Sequence, residues 1–360
     1  MSNSAKKSFS LSCWIAGACL LIYALVLCFQ AMPLRARDIG GILSFRGLFL
    51  FASFVIIAAG FYAYPTYKHR AIINVLFMLP ILIPFVMTII LPFFFGVFYS
   101  FTNWNGNKFT EFVGFANYKT FFSAPDYINS VVMTFLFALV NVFIINMLAF
   151  LLALLVTQKI RGNNVYRAGF FVPNLIGGIV LGYAWQFIFN YVFPLIGMLL
   201  GFENSQSMLI QPLSALVALI IVSTWQYAGY IMMIYVTALN GIPSSVIEAA
   251  KIDGANGFKR MTSIVMPMVA HAFTICIFLT LVNSFKQFDL NFSLTNGGPS
   301  KLFMGKAIMS TELQALNIYK TAITRNEWAL GQAKSVVFFV ILAAISLLQV
   351  SINKKYEEEA

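Results

Sequence analysis

Charge is what this chain has least of. Its 360 residues include 12 Asp or Glu and 23 Lys or Arg, so that 10% are charged, where a soluble domain carries about 25%. Long stretches hold no ionisable group, and ionisable residues inside a membrane are the usual mark of proton and ion pathways. The carboxylate relay of a proton- or sodium-coupled transporter is therefore missing. Histidine is limited to His69 and His271, which stand alone without the spacing of metal ligands; no metal site is expected. Of the four cysteines, Cys13, Cys19 and Cys28 lie in one apolar run and Cys276 in another. None pairs across a loop, so no disulfide framework is implied, and all four read as small buried hydrophobes. A nucleotide engine is absent too. The nearest approach, Gly298 to Gly305-Lys306-Ala307, has its glycines too far apart for a phosphate loop and lacks the Ser or Thr. No cluster of His, Asp or Ser at a run end suggests a membrane-embedded enzyme.

What is present is apolar. The chain is 60% hydrophobic, with a mean hydropathy of +0.84, and runs of 18 or more apolar residues recur, each long enough to span a bilayer as a helix. The class is an all-α polytopic membrane protein with about eight transmembrane helices. A β-barrel is excluded, because its strands would alternate in segments of about ten residues. The net charge of +11 does not point to nucleic acid: the basic residues sit singly or in pairs at the ends of apolar runs, as membrane flanks do.

In chain order, Lys6 and Lys7 precede a first span, roughly 11–30, too long for a signal peptide. A second covers Gly47 to Tyr64 and closes at Pro65 and Lys68-His69-Arg70. The third run, Ala71 to Asn107, contains Pro80, Pro84 and Pro92, whose freed backbone groups neighbouring helices can satisfy. The fourth extends from about Asn129 to Thr157 and the fifth from Arg167 to about Asn190. Tyr191 to Phe202, broken by Pro194, Gly197 and Gly201, is too short to span and reads as interfacial or re-entrant. The sixth runs from Pro212 to about Leu239, the seventh from Pro267 to Phe285, and the eighth from Ser335 to Asn353. Loops of about 25 and 45 residues follow the third and seventh.

The basic residues orient this array. Lys6, Lys7, Lys68, Arg70, Lys159, Arg161, Arg167, Lys251, Lys259, Arg260, Lys354 and Lys355 all fall in short loops or tails on one side, which the positive-inside rule makes cytoplasmic. Arg35, Arg37 and Arg46 are outvoted. Both termini and the 240–267 loop are then expected on the cytoplasmic side, and residues 103–128 and 286–333 outside.

In place of charge, the spans carry aromatics and amides: Tyr183, Trp185 and Gln186 on the fifth; Trp225, Gln226, Tyr227 and Tyr230 on the sixth; Asn283, Ser284 and Gln287 on the seventh. Amides pair with hydroxyls and aromatic faces suit the apolar faces of sugar rings, so a neutral polyhydroxyl ligand fits this set better than an ion. Gly178 and Gly182 form a G-x-x-x-G pair suited to close helix packing. Lys286 and Asp289 fall near the outer end of the seventh span, where Lys286 can snorkel.

The most distinctive stretch is Glu248-Ala249-Ala250-Lys251-Ile252-Asp253-Gly254, followed ten residues later by Ile264-Val265-Met266-Pro267. Ser244 or Ser245 can cap a short helix, with Glu248 in its first turn. Ala249 and Ala250 allow another surface close approach, Gly254 allows a turn, and Pro267 can open the next helix. This spacing resembles the E-A-A loop of the permease subunits of ATP-binding-cassette importers, with Met266 where that family usually has Leu. Leu294-Thr295-Asn296-Gly297-Gly298-Pro299 resembles the outer-loop signature of the sugar branch, the maltose and glycerol-phosphate permeases. Ser100-Phe101-Thr102-Asn103-Trp104 with Phe112-Val113-Gly114-Phe115-Ala116-Asn117-Tyr118 resembles that branch's first outer segment. The likeness covers about residues 71–353.

The resemblance implies a six-helix, MetI-like importer core at 66–355 and an N-terminal extension of two helices at 1–65. It implies a second permease subunit, two ATPase subunits that bind ATP and Mg (this chain binding no cofactor), and an extracellular sugar-binding protein that delivers a di- or oligosaccharide. Glu248, Ala249, Ala250, Asp253, Gly254 and Pro267 would form the ATPase-coupling loop. Ser223, Gln226, Tyr227, Tyr230, Ser284 and Gln287 would line the sugar pathway. The alternative is an ion-coupled or facilitative transporter of a neutral solute.

Overall fold

The computed structural model describes residues 3–31, 41–64, 70–108, 111–158, 161–202 and 205–358. Arg35, Arg37, Pro65, Lys68, His69 and Lys159 lie outside them, as does the expected boundary at residues 65–66. The chain divides into two compact units, Met1–Phe95 and Gly96–Ala360.

In the first unit, α1 (Asn3–Ala31) and α2 (Arg46–Ala63) pack as an antiparallel pair. Close approach is possible because Gly17 and Gly60 carry no side chain: a Cβ on Gly60 would meet the Trp14 ring, and one on Gly17 would meet Ile57. Ser10 Oγ donates to the Gly60 carbonyl at 2.7 Å. The cysteines here do not behave as core residues: Cys19 is exposed, Cys13 and Cys28 are half-buried, and only Cys276, in the second unit, is buried. Helix α3 (Arg70–Phe85) contains Pro80 and Pro84, and the chain passes through a π-turn, Val86–Ile90, before α4 (Leu91–Ser100). Thr88 Oγ1 donates to the Pro84 carbonyl at 2.7 Å, a hydroxyl-to-backbone bond one turn back of the kind that bends helices.

The second unit is built around α10 (Pro212–Asn240). Of its most apolar window 61% is buried, against 39% for α6 (Pro125–Val156), which makes α10 the central helix. Helix α5 (Ala116–Phe122) precedes α6. Next come α7 (Asn163–Leu175), α8 (Gly178–Phe187), a π-turn, and α9 (Phe193–Leu199). After α10 come α11 (Ser244–Ile252), α12 (Gly257–Arg260), a π-turn, α13 (Met266–Met268) and α14 (Ala270–Phe285). A π-turn at Asn291–Thr295, the hairpin β1 (Ser300–Phe303) and β2 (Lys306–Met309), and α15 (Gln314–Tyr319) lead to α16 (Trp328–Glu358). Two apolar layers fill the bundle. One joins Phe137, Leu219, Leu290 and Leu313; the other joins Ile145, Met232, Tyr235 and Cys276. Among the described residues seven helices are long and apolar enough to cross a membrane, and eight if the bent pair Gly257–Met268 and Ala270–Phe285 counts as one span.

Several boundaries differ from those read off the sequence. The fifth run is two elements. Asn163–Leu175 is a separate helix lying against α10, where a Cβ on Gly229 would collide with the Phe170 carbonyl. The crossing helix is Gly178–Leu199. Tyr191–Phe202 is therefore not re-entrant: its first part continues that span through the π-turn Ile188–Val192, and Pro194 follows the π-turn within the same span, where local π adjustments accommodate proline in membrane helices. The seventh span does not begin at Pro267. Pro267 sits in α13, and the chain bends by 69° before Ala270. The fourth and eighth helices begin at Pro125 and Trp328, not Asn129 and Ser335, which brings Asp126 and Lys334 inside helices that looked free of charge. The 286–333 segment is folded rather than an open loop.

Candidate functional site

Two places in the second unit answer to the sequence-derived candidates. The first joins the C-terminus of α10 to the N-terminus of α14; the second lies beside the middle of α10 and the C-terminus of α14.

At the 241–269 end, α11 does not have a serine cap. Pro243 occupies the N-cap, Ser244 is the first helical residue, and Glu248 lies beyond the first turn. Pro243 suits the N-cap because its extended backbone, ψ 133°, needs no N–H. The C-terminus is a complete left-handed stop. Ala255 N–H donates to the Ala250 carbonyl at 3.0 Å and Gly254 N–H to the Lys251 carbonyl at 3.1 Å, with Gly254 at φ +76°. This pair of bonds satisfies carbonyls that a helix end leaves free, and only glycine takes the required φ without strain. Glu248, Ala249, Asp253 and Gly254 are all exposed, as is Pro267; Ala250 is buried. The sequence reading overlooked Ile252 and Phe258, which are 86% and 79% exposed. Two large apolar side chains flanking a small-residue turn form a surface suited to another protein, and Ile252 sits inside the E-A-A motif itself.

Toward the other end, a cavity of about 180 Å³ is lined by Gly178, Gln226, Tyr227, Asn283, Lys286, Gln287, Phe288 and Asp289. Three of the six expected pathway residues, Gln226, Tyr227 and Gln287, meet here. Gln226 is 5% exposed. Its Nε2 donates to the Ile176 carbonyl at 3.4 Å, and its Oε1 is buried with no partner. Such an orphan acceptor costs about 1–3 kcal/mol. Ser284 lines a small adjoining void with Tyr227 and Asn283. Ser223 is instead held by Asn141, whose Nδ2 donates to its Oγ at 3.2 Å. Tyr230 packs against the Ile145–Met232 layer. Lys286 and Asp289 also line the cavity; their spacing on the seventh span placed them near its end, but only the fold turns them toward α8 and α10. The wall is close because of the glycine pair. A Cβ on Gly178 would come within 2.8 Å of Asp289 Cβ, and one on Gly182 would collide with Ser293 Oγ.

The segments beyond this cavity are tightly determined. Asn296 (φ 46°) and Gly297 (φ 79°) form a left-handed turn, closed by Thr311, whose N–H donates to the Gly297 carbonyl at 2.8 Å and whose Oγ1 donates to the Gly298 carbonyl at 2.6 Å. In the earlier segment, Asn117 Nδ2 donates to the Ser100 carbonyl at 2.8 Å and the Thr102 carbonyl at 2.9 Å. Tyr99 stacks on Trp104 at 4.4 Å.

The comparisons agree with this geometry. Residues 145–358 match the family described as binding-protein-dependent transport system inner membrane component. The chain is 42% identical, over 79% of its length and 94% of the relative's, to the probable starch degradation products transport system permease protein AmyD of Thermoanaerobacterium thermosulfurigenes. It is 30% identical, over 77% of its length and 94% of the relative's, to the multiple sugar-binding transport system permease protein MsmF of Streptococcus mutans serotype c. In fold it is similar to a chain of the bacterial alginate ABC transporter in complex with an alginate pentasaccharide-bound periplasmic protein. That likeness has a TM-score of 0.64 at 18% identity and covers 78% of this chain and 93% of that one. With its multiple apolar spans and the family match over more than half its length, the chain belongs to the binding-protein-dependent transport system inner membrane components, the multi-pass permeases of that family.

Proposed function

We propose that this permease conducts a neutral di- or oligosaccharide inward, as part of an ATP-driven importer. The observation that carries the reading is the unpartnered Oε1 of Gln226, buried at a cavity whose other polar groups are amides, a phenol and one pair of opposite charges. Hydroxyl groups satisfy such a set, whereas a phosphate or carboxylate ligand brings only acceptors and meets Asp289. The names of AmyD and MsmF support a sugar.

The rest of the importer follows from the same reading. The 241–269 end faces the cytoplasm with both termini, and the 286–327 end faces outside. Glu248–Gly254, extended by Ile252 and Phe258, docks on an ATPase subunit. Two such ATPases carry the ATP and Mg, this chain none. A second permease completes the pathway, and an external binding protein loads it. Residues 66–355 form the permease core and 1–65 an added extension.

The test is uptake of labelled maltodextrin by the complete importer in proteoliposomes. Gln226→Leu is expected to slow uptake about tenfold, equivalent to about 1.4 kcal/mol, while leaving the chain as stable as wild type or more so. Uphill uptake by the isolated chain, without ATP or partners, would sink the reading.

A further inference from the structure

The last span carries a buried cation that the cavity does not use. Lys334 is 1% exposed and sits six residues into α16, about 9 Å along the helix. Its Nζ donates to Asn317 Oδ1 and to Thr321 Oγ1, both at 2.8 Å, and lies 5.7 Å from the centre of the Tyr127 ring. Asn317 is fully buried. Its Nδ2 donates to Glu312 Oε1 at 2.7 Å and to Asp126 Oδ2 at 3.4 Å. Glu312 in turn pairs with Lys320 at 3.1 Å, and Lys320 Nζ also donates to the Asn296 carbonyl at 2.8 Å. Arg325 closes the far side on Asp126 at 3.0 Å.

This arrangement has a direction. An ammonium inside a membrane protein is expensive unless it is paired. Here one amide does the pairing: its oxygen faces the cation and its N–H groups face the two carboxylates, an order that only Asn or Gln can supply. The line of contact runs from the last span through Asn317 to Glu312 and ends at the left-handed turn of the Leu294–Pro299 stretch, where Glu312 Cβ is within 3.0 Å of the point a Cβ on Gly297 would occupy. None of the cavity-lining residues takes part.

We propose that Lys334 is a positioning residue for transport: through Asn317 it fixes the 286–327 segment to the last span, so that the two move as one body when the permease changes access. The proposal rests on the importer reading, and ATP-dependent uptake by the wild-type complex is therefore measured first; its absence would fault that reading, not this one.

The experiment compares the wild-type importer with Lys334→Met/Asn317→Leu in proteoliposomes. Replacing both partners by apolar groups leaves neither a lone charge nor an orphan amide oxygen opposite it. The expected result is wild-type assembly and basal ATP hydrolysis, with maximal sugar uptake at least tenfold lower and an unchanged half-saturating concentration. Wild-type uptake in the double variant would overturn the proposal, and so would a shift in half-saturation alone, which would mean that the pair acts on sugar binding. Should the double variant fail to assemble, spin labels at Lys306→Cys and Phe339→Cys in the otherwise native complex decide the matter. Their separation is expected to stay constant between the nucleotide-free and ATP-bound states; a change would refute movement as one body.

Discussion

The two ends of the second unit are built on opposite principles. At the 286–327 end, many polar side chains are buried and most find partners in the same chain, Ser310 Oγ and Gln314 Nε2 being exceptions. Asn291 Nδ2 donates to the Thr311 carbonyl at 2.9 Å while its Oδ1 accepts from Leu313 N–H at 3.0 Å. Gln314 N–H donates to Thr134 Oγ1 at 2.8 Å, and Asn129 Nδ2 donates to the Met309 carbonyl at 3.0 Å. At the 241–269 end the side-chain hydrogen bonds among the described residues are local, such as Asn256 Oδ1 accepting from Lys259 N–H, and the large apolar side chains of Ile252 and Phe258 are exposed. The first end is largely complete in itself. The second has a well-formed backbone and leaves Ile252 and Phe258 exposed.

Substitutions at three positions sharpen or break this comparison. The largest effect is expected at Gly254. Nothing lies within 4 Å of a Cβ placed there, so a side chain meets no clash and the whole penalty is the positive φ, about 1–2 kcal/mol. Gly254→Val should unwind the end of α11 and reduce uptake to background, whereas Gly254→Asn, which tolerates that φ better, should retain most of it. Equal loss in both would mean that backbone conformation is not what matters. Phe258→Asp comes next. The isolated chain should unfold within about 0.5 kcal/mol of wild type, while its affinity for the ATPase falls by at least about 2 kcal/mol, roughly thirtyfold, as for an interface anchor. Unchanged recovery of the ATPase in a pull-down would show that this surface faces something else. The smallest effect belongs to mid-bundle. Asn146 accepts from Tyr235 OH at 2.9 Å and donates to Thr280 Oγ1 at 3.2 Å, joining α6, α10 and α14. Asn146→Leu should cost only about 1 kcal/mol in thermal unfolding in detergent, because hydrogen bonds between membrane helices average about 0.6 kcal/mol each.

How much could be read in advance follows the same division. The spans were legible because hydropathy is a sum over neighbours in the chain, and a run such as Pro212–Asn240 needs no tertiary information to be recognised. The E-A-A stretch stood out as a motif because its spacing is local. Ile252 and Phe258 were not, since an apolar residue in a loop does not announce whether it is covered. The Ser244 cap failed because Pro243 already supplies the extended N-cap backbone. The split of the fifth run and the bend before Ala270 were hidden because both halves of each are apolar, and composition cannot tell a straight helix from a broken one. Gln226 and Gln287, which line the cavity, stood out by their amides and again in what the resemblance implies; Ser223 entered only through the resemblance, and the fold turns it instead toward Asn141.

The order of residues was thus enough to settle that the chain is helical and that it carries many apolar spans. Each of those properties is encoded in periodicity, hydrophobicity or spacing along the chain. The tertiary structure alone decided which amide is left without a partner, which glycines let Asp289 and Ser293 approach α8, and that Lys334 is a buried cation rather than a flank. Those depend on groups far apart in sequence, such as Asp126 and Arg325, and only folding sets the distance between them.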